Sequence, residues 1–229
     1  MPNHALPDED LLKRLADTLY QQGYLALPDA LPPPLIRTLQ NRIQALDNAA
    51  FHPAGIGREQ DYRHLKRVRS DRIHWLDSHD PATRSYFDWM EALRLGLNRT
   101  LFLGLFDYEC HFAWYPQGAR YQTHLDAFRG NNNRRLSTVL YLNPDWQTGD
   151  GGELVIHAPL PEQAVRLPGL ATPSATPELL RIQPLNATLV LFLSEVFPHE
   201  VLPAHKPRYS ITGWFRVNTS STRQADPPA

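Results

Sequence analysis

The sequence predicts an α+β protein with a mainly β core, a double-stranded β-helix (jelly roll) buttressed by N-terminal helices. The first half carries amphipathic helical periodicity, whereas the second half consists of short β-branched or aromatic segments separated by turn residues. A length of 229 residues and a hydrophobic share of 42% suit one large β domain. We therefore predict a single domain over 1–229, with helical support at 1–105, a β core at 106–217 and a polar tail at 218–229.

Three helices are predicted in the N-terminal half. The first spans 8–22, where leucines recur at every fourth position and Gly23 follows the end. The second begins at Pro33 or Pro34 and continues to residue 46, and the third spans roughly 81–97. Short extended pieces are expected at 24–27 and 73–76. The apolar residues that the third helix is expected to bury are Phe87, Met90, Leu93 and Leu97.

The second half is predicted to form an antiparallel sandwich or barrel, because strong turn signals divide it into short segments. Residues 158–184 are rich in Pro and Ala and have no clear period, so we predict a long surface loop there. Residues 50–72 are also predicted to be irregular. The predicted strands are 107–115, 120–125, 136–142, 152–157, 187–193 and 209–217.

Composition excludes several classes of protein. A formal net charge of −1 gives no overall field that would attract nucleic acid or a membrane surface. No stretch approaches the roughly 18 apolar residues of a membrane span, and the N-terminus lacks the layout of a signal peptide. The single cysteine, Cys110, excludes an intramolecular disulfide framework. We therefore expect a cytoplasmic protein with no nucleic-acid or membrane partner.

The most informative motif is His124-Leu125-Asp126, followed far downstream by His199. Side chains two residues apart on a strand project from the same face, so His124 and Asp126 can share a metal ion. His199 follows an apolar strand and completes a set of two histidines and one carboxylate, which is characteristic of non-haem Fe(II) oxygenases. The same ligand types also build catalytic zinc sites, although the helical H-E-x-x-H pattern is absent. His205 is the rival of His199 as the third ligand.

Arg208 lies nine residues beyond His199 and can supply a fixed cation for a carboxylate cosubstrate. Its distance from His199 allows the metal ligand and the anion anchor to share one pocket. The structural alternative is an ion pair between Arg208 and Glu195 or Glu200. His111 and His157 are expected to be structural or surface histidines.

These residues belong to a larger pattern between Tyr115 and Phe215 that resembles the prolyl 4-hydroxylase-like 2-oxoglutarate oxygenases, more closely the hypoxia-sensing prolyl hydroxylase branch and its bacterial relatives. The segment from Arg69 to Trp75 also resembles that branch. The matching motifs are Tyr115-Pro116, Tyr121-x-x-His124-x-Asp126, Tyr141-Leu142-Asn143-x-Asp145-Trp146, Gly151-Gly152-x-Leu154, Pro198-His199-Glu200-Val201 and Arg208-Tyr209-x-Ile211-Thr212-x-Trp214.

The resemblance implies a role for each motif. His124, Asp126 and His199 would bind Fe(II), and 2-oxoglutarate would chelate the iron through its 2-oxo acid end. Its distal carboxylate would meet Arg208, with the Tyr141 hydroxyl as a second donor. O₂ would take the remaining position, with succinate and CO₂ as coproducts and ascorbate as reductant. The residues expected to complete the pocket are Thr212, Trp214 and Tyr115.

The same resemblance leaves alternatives open. Tyr141 and Trp214 lie in apolar strands and could be ordinary core residues, and Arg69 and Asp71 are expected to hold a loop. The basic run from Arg63 to Arg69 admits a nucleic-acid interpretation, but its position matches a loop that covers substrate in the resembling family. We therefore predict a substrate lid at about 52–72.

The predicted function is hydroxylation of a prolyl residue in an exposed loop of a partner protein. A small-molecule hydroxylase acting on an amino acid or peptide is the second enzyme hypothesis. A metal-bound binding module without turnover is a third hypothesis from another class, and an intact set of metal ligands together with Arg208 argues against it.

Overall fold

The computed structural model describes residues 5–55, 68–127, 133–159 and 177–218. Three α-helices lie in the first half: α1 (Glu9–Gln22), α2 (Pro33–Gln44) and α3 (Pro81–Leu101). A short 3-10 helix spans Asn48–Ala50. The strands are β1 (Tyr24–Leu27), β2 (His52–Pro53), β3 (Arg72–Trp75), β4 (Leu105–Tyr115), β5 (Tyr121–His124), β6 (Arg134–Tyr141), β7 (Leu154–His157), β8 (Glu178–Ile182), β9 (Leu189–Leu193), β10 (His199–Val201) and β11 (Arg208–Val217).

Local sequence signals set the helix ends. Asp8 caps α1 by accepting a hydrogen bond from the backbone N–H of Leu11 at 2.8 Å. Gly23 ends α1 in the left-handed conformation, with φ of 76°, which glycine adopts at little cost. Asp80 caps α3, and Pro81 occupies its first turn, where a missing N–H leaves no hydrogen bond unmade.

The strands form two antiparallel sheets. The major sheet has seven strands in the order β1-β9-β6-β11-β4-β3-β2, and the minor sheet has four in the order β5-β10-β7-β8. Strand β11 is central in the major sheet, because it pairs along its length with both β4 and β6. Its alternate side chains therefore reach the middle of both faces of the major sheet.

Two apolar cores use the two faces of the major sheet. One core packs the helices against one face and includes Leu93, Leu140 and Ile211. The other core joins the opposite face to the minor sheet and includes Tyr141 and Ile156. We call the face toward the minor sheet the inward face. It carries Tyr115, Tyr141 and Phe192 among others.

Most predicted elements are confirmed to within a few residues, but three expectations are wrong. Residues 158–184 are not all loop, because β8 lies within them and pairs with β7. Two short strands are found where none was predicted: β2, which lies in the stretch expected to be irregular and pairs with β3, and β10. Phe87 is only partly buried on α3, whereas Met90, Leu93 and Leu97 are fully buried.

Two further expectations fall largely outside the described residues. In the lid predicted at about 52–72, residues 56–67 lie outside the described residues, and they include most of the basic run. In the loop predicted at 158–184, residues 160–176 also lie outside the described residues. Among the described residues, no helix is long and apolar enough to span a membrane.

Candidate metal centre and carboxylate pocket

Two neighbouring strands of the minor sheet bring the three predicted metal ligands together. His124 ends β5, and its cross-strand partner on β10 is His199. Asp126 follows β5 by two residues, and one ligand atom from each of the three residues lies within 4.8 Å of the other two. Nε2 of His124 is 3.6 Å from Oδ1 of Asp126, and Nε2 of His199 is 3.5 Å from Oδ2. Metal bonds of about 2.1 Å place neighbouring ligand atoms roughly 3 Å apart, so one cation fits between them after a small contraction.

Both histidines are held by their other ring nitrogen. Nδ1 of His124 lies 2.8 Å from the carbonyl oxygen of Gln122, and Nδ1 of His199 lies 3.1 Å from that of Phe197. A nitrogen that faces a carbonyl oxygen must donate, so Nδ1 carries the proton and Nε2 offers its lone pair to the site. The Tyr121 ring stacks on His124 with centroids 3.5 Å apart and fixes the imidazole plane.

A serine pair orients the carboxylate. Ser137 on β6 donates a hydrogen bond of 2.7 Å to Oδ2 of Asp126. The Ser137 hydroxyl also contacts the Ser194 hydroxyl at 2.8 Å in the buried interior. Neither serine could be identified from the sequence, because a serine in an apolar strand gives no signal of its own.

The protonation states suit a cation. Burial opposes ionisation of Asp126, but His199 and His124 outweigh it and hold the carboxyl pKa well below its usual range. Burial lowers the pKa of His199 to about 4, and the neighbouring His124 acts in the same direction. A carboxylate beside a neutral imidazole is the state that binds a divalent metal ion.

Arg208 begins β11 on the inward face and is 1% exposed. Its guanidinium carbon lies 4.7 Å from the ring centroid of Tyr115 and 4.9 Å from that of Tyr141. Its hydrogen bond goes to the Ser210 hydroxyl at 3.4 Å, and no carboxylate of the described residues pairs with it. Gly152 makes room for the side chain, because a Cβ there would lie 2.9 Å from Cδ of Arg208.

The structural alternative for Arg208, an ion pair with Glu195 or Glu200, is not observed. Glu195 lies 3.8 Å from Arg135, and Glu200 lies 3.0 Å from His157. Nε of Arg208 and the hydroxyl of Tyr141 are buried with no hydrogen-bond partner among the described residues. Burial raises the pKa of Tyr141, so its hydroxyl stays protonated and can donate. A buried cation beside an unused hydroxyl donor is suited to bind a carboxylate.

The remaining predicted pocket residues also lie on the inward face. Thr212 and Trp214 follow Arg208 at steps of two along β11, so their side chains share its face. The Arg134 guanidinium lies 3.5 Å from the Trp214 ring centroid. Tyr115 is the cross-strand partner of Arg208 on β4. The structure thus brings Tyr115, Tyr141 and Arg208 together and places Thr212 and Trp214 further along the same wall.

The structure also bears on two other expectations, the rival ligand His205 and the pair Arg69 and Asp71. His205 lies outside the group of three candidate ligands, and its Nδ1 contacts the Gly149 carbonyl oxygen at 2.8 Å. Arg69 forms a two-pronged ion pair with the buried Asp71, at 2.7 and 2.9 Å, and lies 4.6 Å from the Tyr121 ring centroid. This pair ties the start of β3 to the ring that stacks on His124.

Comparison with known proteins agrees with this geometry. The sequence model of the 2OG-Fe(II) oxygenase superfamily matches residues 110–216. A crystal structure of a Pseudomonas putida prolyl-4-hydroxylase is 38% identical, with a TM-score of 0.75, and the alignment covers 90% of this chain and 98% of that one. A Trichoplax adhaerens prolyl hydroxylase, solved with a hypoxia-inducible factor peptide fragment, is 25% identical with a TM-score of 0.74, over 91% and 90% of the two chains.

A curated relative extends the comparison. The hypoxia-inducible factor prolyl hydroxylase of Caenorhabditis elegans is 30% identical over 186 residues, which is 74% of this chain. The chain spans only about a quarter of the length of that relative, 23%. The likeness to the bacterial enzyme runs nearly end to end and includes the stretch that carries the metal and carboxylate residues. This chain therefore belongs to the 2-oxoglutarate- and Fe(II)-dependent oxygenase superfamily, with prolyl hydroxylases among its relatives.

Proposed function

We propose that this protein is an Fe(II)- and 2-oxoglutarate-dependent dioxygenase that hydroxylates a prolyl residue in an exposed loop of a protein substrate. The observation that carries the proposal is the buried Arg208, which has no carboxylate partner among the described residues. Burying a cation without a counter-ion costs several kcal/mol, on the order of 3–5. The carboxylate of a cosubstrate would offset that cost. A metal-binding module without turnover gives no reason to keep such a residue.

The metal would be held by His124, Asp126 and His199, whose two imidazoles and one carboxylate fit Fe(II). When bound, iron and 2-oxoglutarate supply the oxidising chemistry, in which O₂ and 2-oxoglutarate yield succinate, CO₂ and a hydroxylated C–H bond. Ser137 and the backbone carbonyls behind the two histidines hold the ligand atoms in place. Ascorbate would serve as reductant.

The cosubstrate would lie along the inward face of β11. Arg208 would receive its distal carboxylate, and the Tyr141 hydroxyl would donate a second hydrogen bond to it. Thr212 would border the chain of the cosubstrate. Trp214 and Tyr115, both buried, would exclude bulk water from the reacting atoms.

The substrate class rests on the relatives, which are prolyl hydroxylases. We infer a double-stranded β-helix core at 106–217 with helical support at 1–105, because one apolar core joins the two sheets and another joins the helices to the major sheet. The substrate lid at about 52–72 stays a prediction, because residues 56–67 lie outside the described residues.

The proposal is tested with anaerobically purified protein supplied with Fe(II), 2-oxoglutarate, ascorbate and O₂. An array of peptides with a central proline is added, and mass spectrometry follows the gain of one oxygen atom together with succinate release. We expect coupled succinate and hydroxyproline, both lost in Arg208→Ala. Turnover with free amino acids but no peptide would favour the small-molecule enzyme. Absence of succinate and of 2-oxoglutarate binding would favour the binding module.

A further inference from the structure

The unpartnered buried polar atoms of the described residues concentrate on the inward face of the major sheet. Antiparallel partners point to the same side of a sheet, and residues two apart on a strand share a face. These atoms belong to five side chains; by this rule Trp114 faces the helices and the other four face inward. The atoms are both ring nitrogens of His111, Nε1 of Trp114, the hydroxyl of Tyr141, Nε of Arg208 and Nε1 of Trp214.

Among the four inward-facing side chains, His111 is the one to which the proposed function gives no role. It lies on β4, with Thr212 of β11 as its cross-strand partner on one side and Trp75 of β3 on the other. Its ring is 5.1 Å from the Trp75 ring and 5.4 Å from the Trp214 ring, centroid to centroid. His111 is 1% exposed, whereas Trp75 is 52% exposed. His111 therefore lies at the level of Thr212, within the wall that borders the proposed cosubstrate pocket.

The charges around His111 favour a particular kind of ligand. Burial lowers the pKa of His111 well below its usual range, Arg69 and Arg134 act in the same direction, and Asp126 opposes them more weakly. The neutral ring has one N–H donor, and the neighbouring Trp214 indole is a donor only. Two adjacent donors in the field of two arginines suit an oxygen acceptor and disfavour a cation.

We propose that His111 is a further ligand-binding residue of this pocket, which together with the Trp214 indole N–H binds an oxygen acceptor. The acceptor is a carboxylate oxygen of 2-oxoglutarate or a backbone carbonyl oxygen of the peptide substrate. The inference rests on the proposed function, since it deepens the same site. Nearly all buried polar groups in native proteins have a hydrogen-bond partner, so a group without one in the protein indicates a bound ligand or water as its partner. Tyr141 and Arg208, the other unsatisfied residues of this wall, are the ones that the bound cosubstrate would complete.

Two variants separate ligand binding from packing. His111→Phe keeps an aromatic ring between Trp75 and Trp214 but removes both nitrogens, and His111→Gln restores an amide N–H. Calorimetry on Mn(II)-loaded protein gives the Kd of 2-oxoglutarate, and initial rates give the KM of the best peptide from the array. We expect His111→Phe to raise one of these constants at least about tenfold, which is the effect of one lost hydrogen bond to a ligand, and His111→Gln to recover part of it. The constant that rises identifies the source of the acceptor.

The free energy of unfolding in urea distinguishes a ligand-binding role of His111 from a packing role. Removing two unsatisfied buried nitrogens should leave the ligand-free His111→Phe protein as stable as wild type or more so. A loss of stability with both constants within about threefold of wild type would overturn the proposal and assign His111 to packing, through its N–H against the Trp75 ring. If wild type hydroxylates no peptide, the prolyl proposal fails by itself. The Kd of 2-oxoglutarate then decides the role of His111.

Discussion

Replacing Arg208 with methionine should make the ligand-free protein more stable and nearly abolish its binding of 2-oxoglutarate. Arg208→Met keeps the length and most of the apolar stem while it deletes the charge. The side chain is 1% exposed, and its hydrogen bond to the Ser210 hydroxyl is long, at 3.4 Å. The guanidinium therefore lies in the interior with little compensation until an anion binds.

The magnitudes follow from this environment. Removing an uncompensated buried charge recovers several kcal/mol, about 3–4 here. The stacking of the cation against Tyr115 and Tyr141, at 4.7 and 4.9 Å, offsets part of it, at about 1 kcal/mol per ring. We therefore expect the free energy of unfolding to rise by about 1–2 kcal/mol. In the other direction, losing the partner of a buried carboxylate costs about 3–5 kcal/mol, so the Kd of 2-oxoglutarate should rise by about two to four orders of magnitude.

Urea denaturation of the metal-free protein measures the first effect, and calorimetry on Mn(II)-loaded protein measures the second. Arg181→Met is the matched control, because Arg181 forms an exposed ion pair with Glu178 in the minor sheet. We expect that control to change either quantity little, since exposed pairs contribute about 0–1 kcal/mol. A destabilised Arg208→Met protein with unchanged 2-oxoglutarate affinity would refute the reasoning, because Arg208 would then be a structural cation.

Three other perturbations test the metal site, a helix cap and the central strand. Asp126→Ala should abolish saturable Mn(II) binding in calorimetry, whereas His205→Ala should leave it unchanged because His205 lies outside the ligand group. Asp80→Ala should lower the free energy of unfolding by about 1 kcal/mol at neutral pH. The hydrogen bonds that Asp80 accepts from the α3 backbone and a neighbouring arginine lower its pKa, so its stabilisation is present above the unfolded pKa. That stabilisation is lost as pH falls through the folded pKa, so urea titrations of the two proteins should converge in acid, and a gap that widens there would contradict the assignment. Gly213→Ala should cost about 1–3 kcal/mol in urea, because its Cβ would overlap the Tyr108 hydroxyl; unchanged stability would mean that this ring moves freely.

The grouping of the three candidate metal ligands could be predicted because short-range geometry determines most of their arrangement. The period of two on a strand puts His124 and Asp126 on one side in any fold that makes 121–124 a strand. The choice of His199 over His205 depended on spacing to Arg208, and the structure agrees because β10 pairs with β5 at that residue. Arg69 and Asp71 were expected to hold a loop. They form an ion pair with each other, and the backbone of Arg69 also bridges to Tyr121.

The features that could not be predicted from the sequence depend on contacts between segments that are far apart in the chain. Strand β8 lies at the edge of the minor sheet and has a mostly exposed, polar-flanked sequence, so its pairing with β7 leaves no apolar period to detect. Ser137 matters only because β6 passes beneath Asp126. His111 was expected to be structural or on the surface, and the structure buries it. The sequence could not indicate that its ring nitrogens have no partner among the described residues, because a histidine in an apolar strand looks the same in either case.

Strand β11 explains how this fold can keep so many unsatisfied polar groups. Its odd-numbered residues Ile211 and Phe215 are fully buried in the core between the major sheet and the helices. Its even-numbered residues Arg208 and Trp214 face the minor sheet, where polar atoms of both remain without partners among the described residues. Because the apolar core on one face stabilises the sheet, the other face can hold donors in place before any ligand arrives. On the proposed function, the stability given up on the inward face would be recovered when metal, cosubstrate and substrate bind, which would couple the stability of the protein to occupancy of its site.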